Sequence, residues 1–435
     1  MRDLAMALIM PLLLYLGFQR AFISLGLWLW TSAFTLGQLL YGFMGPFPFN
    51  QTFAILTFVS YGVHMEQRSK FVFDASIFWV IALFIMSTFS TFLHLGLTDV
   101  TVWFRWDMYS KIVLFYIMST VIVNKKLHFD FMAWMLLISI GALGAAEGTK
   151  FIFSGGAHRI SWLRGISGDN NFVGLLIVVV LPLAYYLFSQ VTSKVIKLGF
   201  IFTMLLLLLG LVSTYSRGGF VGLIIVLLSF VKESKNKFSW ILAFTLVGLV
   251  ASNFLPDTWF ERMDTVGEAE KDSSFMGRVM VWKMSFIIAS HNFFGGGFKA
   301  VEQAFIWNQH VPYFDTLNFI PSPEPPNHGK AAHSIYFQVL GDHGFLGLFA
   351  FLMILLTNYI KIARLIKLAV KEKMDEWIII LSKMLKVSLT VYCVSGALLS
   401  AAYADFIYAI LAMIFCLEHR IVRPAIEKNT KVEIH

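Results

Sequence analysis

Two arginines stand in sequence that is otherwise almost entirely apolar. Arg217 lies in STYSRGGFVG, between the apolar runs 198–212 and 223–230, and Arg278 lies in SSFMGRVMVWKMS. A guanidinium is costly to bury unless it is paired. Its planar fork matches phosphate oxygens, and it is less strongly hydrated than an ammonium group. The two arginines together therefore indicate an anion site, most simply for a phosphate or a pyrophosphate.

Two further arginines, Arg159 and Arg164, lie in the polar segment AHRISWLRGISGDNN. A solvated loop tolerates arginine, so these two are weaker candidates for the same anion site. The alternative for any single arginine at a helix end is that it caps carbonyl groups or extends toward water. The sequence leaves that alternative open for each of the four arginines.

A histidine lies where a long polar stretch gives way to an apolar helical pattern. This residue, His333, is in NHGKAAHSIYFQVLGDHGFLGL. Histidine titrates near neutral pH and can act as a general base. The alternative is a histidine at a helix start that only caps or packs, and residue chemistry alone does not choose between the two. His310, His328 and His343 are interpreted as solvated or packing residues.

The sequence predicts neither a metal ion nor a cofactor. Glu261, Asp264 and Glu268 have helical spacing, which is typical of a solvated acidic face. The chain contains no His-x-x-x-His, no Asp-x-Asp and no pair of cysteine ligands. The glycine-rich FFGGGF lacks the Lys-Ser/Thr ending of a phosphate-binding Walker loop.

The elements that must position these residues are helices in a membrane. Of the 435 residues, 58% are hydrophobic and 14% are charged, whereas about a quarter of an ordinary soluble chain is charged. Apolar runs of spanning length recur from end to end, which predicts an all-α polytopic membrane protein. Basic clusters recur at every second loop, as the positive-inside rule predicts for cytoplasmic loops.

This alternation predicts about twelve transmembrane helices and one large extracytoplasmic loop. Residues 1–45 are interpreted as one span followed by a re-entrant or interfacial piece. The remaining spans are expected near 50–65, 73–94, 107–123, 130–148, 170–189, 195–213, 218–231, 238–255, 333–357, 378–400 and 401–418.

Three parts follow from this topology: N-terminal transmembrane helices over 1–255, an extracytoplasmic loop with short helices over 256–332, and C-terminal transmembrane helices with a cytoplasmic tail over 333–435. The stretch 198–231 would be roughly 50 Å long as one helix, which exceeds the bilayer's hydrocarbon thickness of about 30 Å. We expect it to break at Gly218–Gly219, with Arg217 at or just below the outer surface.

The motifs, in their order along a helical membrane chain, resemble those of the O-antigen ligase and polymerase superfamily. The resemblance covers roughly residues 165–350 and comprises SGDNNFVG, STYSRGGFVGL, GRVMVWKMS, FFGGGF and HSIYFQVLGDHGFLG. The first 70 residues, with MRDLAMALIM, LWLWTS and YGFMGPFPF, resemble a subset identified as O-glycosylation ligases that accompany exosortase systems.

The resemblance implies a fold similar to the C-type glycosyltransferases and an inverting, metal-independent transfer at the outer face of the bacterial inner membrane. Arg217 and Arg278 match the arginines that bind the donor pyrophosphate, and His333 matches the family's essential histidine. Asn170 begins the helix that matches the family's Asn-rich helix start, so it is a further possible substrate-binding residue. The family often has Asn after the histidine, and this chain has Ser334, to which we assign no catalytic role.

The resulting hypothesis is an O-antigen ligase that moves a glycan from undecaprenyl pyrophosphate to lipid A–core oligosaccharide. Its expected partners are this donor, the acceptor and membrane lipids, with no nucleic acid. A protein O-glycosylation ligase and an O-antigen polymerase would use the same donor. A flippase for lipid-linked glycans is the alternative of another class, although the inverted repeats typical of transporters are not evident.

Overall fold

The chain is described by a computed structural model. It describes residues 2–33, 36–64, 66, 68–94, 101–160, 170–233, 237–238 and 273–433. These residues form helices and connecting turns, with no β-strand among them. The all-α class predicted from the sequence is confirmed for this part of the chain.

Sixteen α-helices are described, and two of the junctions between them are single π-helical turns. The π turns are Leu137–Gly141 and Leu417–Val422. The α-helices are, in chain order, α1 (Arg2–Gln19), α2 (Ala21–Ala33), α3 (Phe49–Val63), α4 (Ala75–Leu93), α5 (Thr101–Ile122), α6 (Lys126–Leu136), α7 (Ala142–Phe153), α8 (Asn170–Gln190), α9 (Lys194–Ser213), α10 (Arg217–Glu233), α11 (Ser273–His291), α12 (Ala304–His310), α13 (Ile335–Lys371), α14 (Glu376–Ser395), α15 (Asp405–Cys416) and α16 (Arg423–Glu433).

Seven helices in the described part of the chain are long and apolar enough to cross a membrane. They are Arg2–Gln19, Ala75–Leu93, Lys126–Phe153, Asn170–Gln190, Lys194–Ser213, Ile335–Lys371 and Glu376–Leu398. This is the pattern of a multi-pass membrane protein. The span predicted at 238–255 lies outside the described residues, and the total of about twelve spans stays a prediction.

Two helices form the centre of the bundle. In α8, 78% of the most apolar window is buried, and every residue of α15 from Phe406 to Cys416 is buried. Other helices therefore surround both of them. By contrast, only 17% of the window in α1 is buried, so α1 lies at the periphery. The first residue of α8 is Asn170, so this central helix begins at a predicted site residue.

A partly buried ion network ties α4, α13 and the π turn after α15 together. Asp74 caps α4 by accepting hydrogen bonds from the Ser76 and Ile77 amides, at 2.9 and 3.1 Å. Its carboxylate also pairs with the Lys361 ammonium and with His419 Nε2, and Lys361 lies 3.3 Å from Glu418 Oε2. Burial alone would raise the pKa of Asp74, but the hydrogen bonds from His419 and Lys361 and the lysine charge hold it well below its usual value.

The same network contains the one cluster, within the described ranges, whose ligand atoms are close enough together for a metal ion: Asp74, Glu418 and His419. The Lys361 ammonium contacts both carboxylates. The positive partner of these two carboxylates is therefore a side chain of the protein itself.

Replacing Lys361 should destabilise the bundle. Lys361→Ala leaves the Asp74 carboxylate without its ammonium partner, and we expect a cost of about 1–3 kcal/mol because the pair is partly buried and His419 still contacts Asp74. The free energy of unfolding, or the melting temperature in detergent, should fall accordingly. Lys371→Ala is the matched control, because that side chain lies on the same helix and is 80% exposed. Equal shifts for the two variants would contradict the role of the network.

Candidate functional site

Arg217 is the first residue of α10 and follows a tight turn. Tyr215 in this turn has φ 53°, in the left-handed region. The Ser216 hydroxyl caps the new helix by accepting from the Gly219 amide at 3.1 Å. Outside the turn, Asn170 Nδ2 donates to the Thr214 carbonyl at 2.7 Å. The start of α8 therefore fixes the turn that carries Arg217.

The predicted break within 198–231 is confirmed, but it lies at 214–216 and not at Gly218–Gly219. Helix α9 ends at Ser213 and α10 begins at Arg217, so both glycines lie inside the first turn of α10. A β-carbon on Gly219 would lie 3.3 Å from the Gly174 α-carbon of α8. The glycines allow close helix packing, while Ser216, a better N-cap than glycine, begins the helix.

Arg159 joins the same turn from another segment. Its guanidinium lies over the Tyr215 ring, 5.0 Å from the ring centroid, and the next residue's amide, Ile160 N, donates to the Ser213 carbonyl at 2.9 Å. Arg159 is exposed. Arg164 lies outside the described residues. Two arginines and Asn170 therefore meet at residues 213–217.

His333 immediately precedes α13 and has a left-handed backbone with φ 46°. Its amide donates to the Ser400 hydroxyl at 2.8 Å, and the preceding carbonyl, that of Ala332, accepts from Trp282 Nε1 at 2.8 Å. The N-cap of α13 is Ser334, whose hydroxyl accepts from the Phe337 amide at 3.5 Å. Its hydroxyl is a structural group, in line with the absence of a catalytic assignment.

Arg278 lies on α11, which packs beside α13. Helices α11 and α13 run in parallel, because Trp282 stacks on Phe337 with ring centroids 5.0 Å apart and Phe286 contacts Phe345 farther along both helices. Arg278 lies one helical turn before Trp282, on the same face of α11. Because Trp282 Nε1 bonds the Ala332 carbonyl, Arg278 lies one helical turn from a residue that contacts the peptide group before His333.

The α14–α15 connection, residues 395–404, lies between the Arg217 turn and His333. On one side, a β-carbon on Gly218 would be 3.6 Å from the Ser395 carbonyl oxygen. On the other side, Ser400 bonds the His333 amide. The structure thus brings Arg217 and His333 to two sides of one short segment, and Trp282, one turn after Arg278 on α11, bonds the residue before His333.

Sequence reasoning missed this connection, since it treated 378–400 and 401–418 as two consecutive spans. Helix α14 ends at Ser395 and α15 begins only at Asp405. The available signal was composition, because SGALLSAAYAD is richer in small and polar residues than either flanking run. Ser400 and Trp282, which both contact the backbone at His333, were not singled out.

The glycine-rich FFGGGF packs against a kink in α13. Gly344 breaks that helix with φ 69°, and Gly295 has φ 71°. The amide of Gly296 donates to the Gly341 carbonyl at 2.9 Å, which satisfies a carbonyl that the broken helix leaves open. A β-carbon on Gly295 would lie 2.5 Å from the Gly344 amide nitrogen. These glycines hold α11 and α13 together.

A proline-rich segment, residues 320–332, runs over α11 and α12 toward His333. Lys283 Nζ donates to the Ile320 carbonyl at 3.2 Å and to Ser322 at 3.0 Å, and Trp307 Nε1 donates to the Pro326 carbonyl at 2.7 Å. Burial lowers the pKa of Lys283 below its usual value. Hydrogen bonds at Ile320, Ser322 and Pro326 therefore hold the segment before His333 against these helices.

Comparison with protein families identifies one family of described function over part of the chain. Residues 202–352 match a family described as O-Antigen ligase, and this range contains Arg217, Arg278 and His333. Residues 1–192 match a family of unknown function (DUF5935). No curated protein matches the chain. The resemblance predicted from the sequence is confirmed over the first of these ranges.

Gly295→Ala should disrupt the contact between FFGGGF and α13. The added carbon would meet backbone atoms at 2.5 Å, and the backbone conformation disfavours any other residue, so we expect a loss of about 2 kcal/mol or more. The melting temperature in detergent measures it. Gly277→Ala is the control, because nothing lies within 4 Å of the added carbon and its position is helical. A melting temperature unchanged in Gly295→Ala would contradict this packing.

Proposed function

We propose that this chain, whose residues 202–352 match the O-antigen ligase family, transfers a glycan from undecaprenyl pyrophosphate to lipid A–core oligosaccharide. The match over 202–352 supports a ligase- or polymerase-like function in the O-antigen pathway. The finer proposal is supported by the positions of Arg217 and His333 on two sides of the α14–α15 connection, with Arg278 one turn before Trp282, which bonds the residue before His333.

The arginines would stabilise the leaving group. When the bond between the anomeric carbon and the pyrophosphate breaks, negative charge develops on the departing phosphate oxygens. Two guanidiniums already in place in a low-dielectric site stabilise that charge without reorganisation. Arg217 is also the first residue of α10, and the positive end of a helix dipole favours an anion there. The pyrophosphate then leaves without being protonated.

His333 would act as the general base. It takes the proton from the acceptor hydroxyl as that oxygen attacks the anomeric carbon, and later releases the proton to solvent. One displacement forms the new glycosidic bond and breaks the bond to pyrophosphate, so the configuration at the anomeric carbon inverts. The step needs no carboxylate pair of the kind that glycoside hydrolases use.

The site would face the outer side of the bacterial inner membrane. We propose about twelve spans in a glycosyltransferase C-like fold, with residues 256–332 forming the large outer loop. Seven apolar helices in the described part, and the fastening of 320–332 over α11 and α12, support this view. The apolar spans would hold the prenyl tail of the donor.

A polymerase is the second candidate, because the matched family supports ligase-like and polymerase-like functions alike. It would use the same arginines and histidine but extend the lipid-linked chain. A gene deletion separates the two functions: without a ligase the lipid A–core carries no glycan, and without a polymerase it carries single repeat units. Glycoproteomics of the same deletion strain tests a protein acceptor.

Replacing any of the three proposed residues should abolish glycan attachment. Arg217→Ala, Arg278→Ala and His333→Ala should each lower capped lipopolysaccharide by about 100-fold or more, because each removes transition-state stabilisation or the base. Gel electrophoresis of lipopolysaccharide from a complemented deletion strain measures the effect, with expression checked by immunoblot.

Two variants control for general damage. His328→Ala removes an exposed histidine five positions before His333, and Arg364→Ala removes an exposed arginine farther along α13. Both should give normal ladders. Normal ladders from all three site variants would refute the site. If glycan attachment in membranes is lost only when the ion gradient is collapsed, the result would instead favour a transporter.

A further inference from the structure

We propose that Ser400 and Trp282 are positioning residues that orient the His333 imidazole. They do so by hydrogen-bonding the peptide group that joins Ala332 to His333. The inference rests on the proposed function, in which His333 is the base. Neither side chain is expected to contact the donor or the acceptor. Their effect would pass through the backbone.

The backbone at His333 is strained. Its φ of 46° lies in a region that residues with a β-carbon adopt at a cost. Such conformations persist only where the surrounding structure holds them. If the restraint is lost, His333 can relax toward negative φ, and its side chain then points in another direction.

The restraint acts on a single peptide group, the one that joins Ala332 to His333. Its carbonyl accepts from Trp282 Nε1 at 2.8 Å, and its N–H donates to the Ser400 hydroxyl at 2.8 Å. On the far side of His333, the Ser334 cap fixes the start of α13. With both flanking units fixed, the direction of the His333 side chain is largely set.

Both gripping side chains are themselves held. The indole of Trp282 stacks on Phe337 at an interplanar angle of 6°. Next to Ser400, the Ala401 carbonyl accepts from the Tyr392 hydroxyl at 2.9 Å, and the Ala402 amide donates to Gln338 Oε1 at 3.1 Å. Each partner therefore offers a fixed hydrogen-bonding group.

The two gripping elements are the ones that carry or contact the proposed anion site. Trp282 lies one turn after Arg278 on α11, and Ser400 belongs to the α14–α15 connection, which packs beside Gly218 and thus next to Arg217. Through these hydrogen bonds the backbone at His333 is connected to the two elements that carry or contact the arginines. A misplaced base would lower kcat. Donor binding depends on the arginines, so the donor KM would stay unchanged.

The test compares purified Ser400→Ala and Ser400→Thr with the wild-type protein. Transfer is measured with an undecaprenyl-pyrophosphate-linked O-antigen glycan and lipid A–core oligosaccharide. Ser400→Ala should lower kcat about tenfold or more, equivalent to about 1.4 kcal/mol in the activation barrier, with donor KM within about twofold. Ser400→Thr keeps the hydroxyl and should restore kcat. Trp282→Phe should behave like Ser400→Ala.

The matched control is Ser388→Ala. Ser388 is a buried hydroxyl on α14 that donates to the Val179 carbonyl at 2.8 Å, away from His333. It should alter stability without altering kcat. Hydrogen exchange gives a readout independent of catalysis: the peptide containing residue 333 should exchange faster in Ser400→Ala than in the wild type or in Ser400→Thr.

The proposal would be overturned if Ser400→Ala kept the wild-type kcat. It would also be overturned if the Ala and Thr variants lost kcat equally while keeping the wild-type melting temperature. If Ser400→Ala does not fold, Trp282→Phe decides by the same criteria. Failure of the proposed function looks different, since the wild-type protein would then transfer no glycan, or His333→Ala would transfer it at the wild-type rate.

Discussion

The α14–α15 connection, residues 395–404, is the constraint on which the arrangement of the proposed site depends. It passes between the turn at residues 213–217 and the start of α13, and it contacts both. Neither Arg217 nor His333 is fixed by its own helix alone, because each lies at a helix start. Their relative position is set by a short segment that two buried helices hold at its ends. The opposite part of α13 is held by the ion network around Lys361.

Much of this could be predicted from residue types. A guanidinium in an apolar run is costly, so Arg217 and Arg278 stood out without any knowledge of the fold. His333 stood out because hydropathy changes abruptly there. The apolar runs gave most helices within a few residues, since a spanning helix must satisfy its own backbone and leaves a long signal. The motifs in their order also indicated the family, which the match over 202–352 confirms.

The rest could not be predicted, because it depends on contacts between residues far apart in the chain. Nothing local marks Ser400 as the partner of an amide 67 positions earlier, or Trp282 as the donor to Ala332. The break before α10 was misassigned for a related reason. Glycine is both a helix breaker and a residue that permits close packing, and at Gly219 the second property decides because Gly174 of α8 lies against it.

The most direct test of the central claim is a structure of the protein with undecaprenyl pyrophosphate bound. We predict that the guanidiniums of Arg217 and Arg278 both hydrogen-bond the diphosphate oxygens, and that the His333 imidazole faces the terminal phosphate. A diphosphate bound elsewhere, or bound by only one of the arginines with His333 turned away, would contradict this prediction.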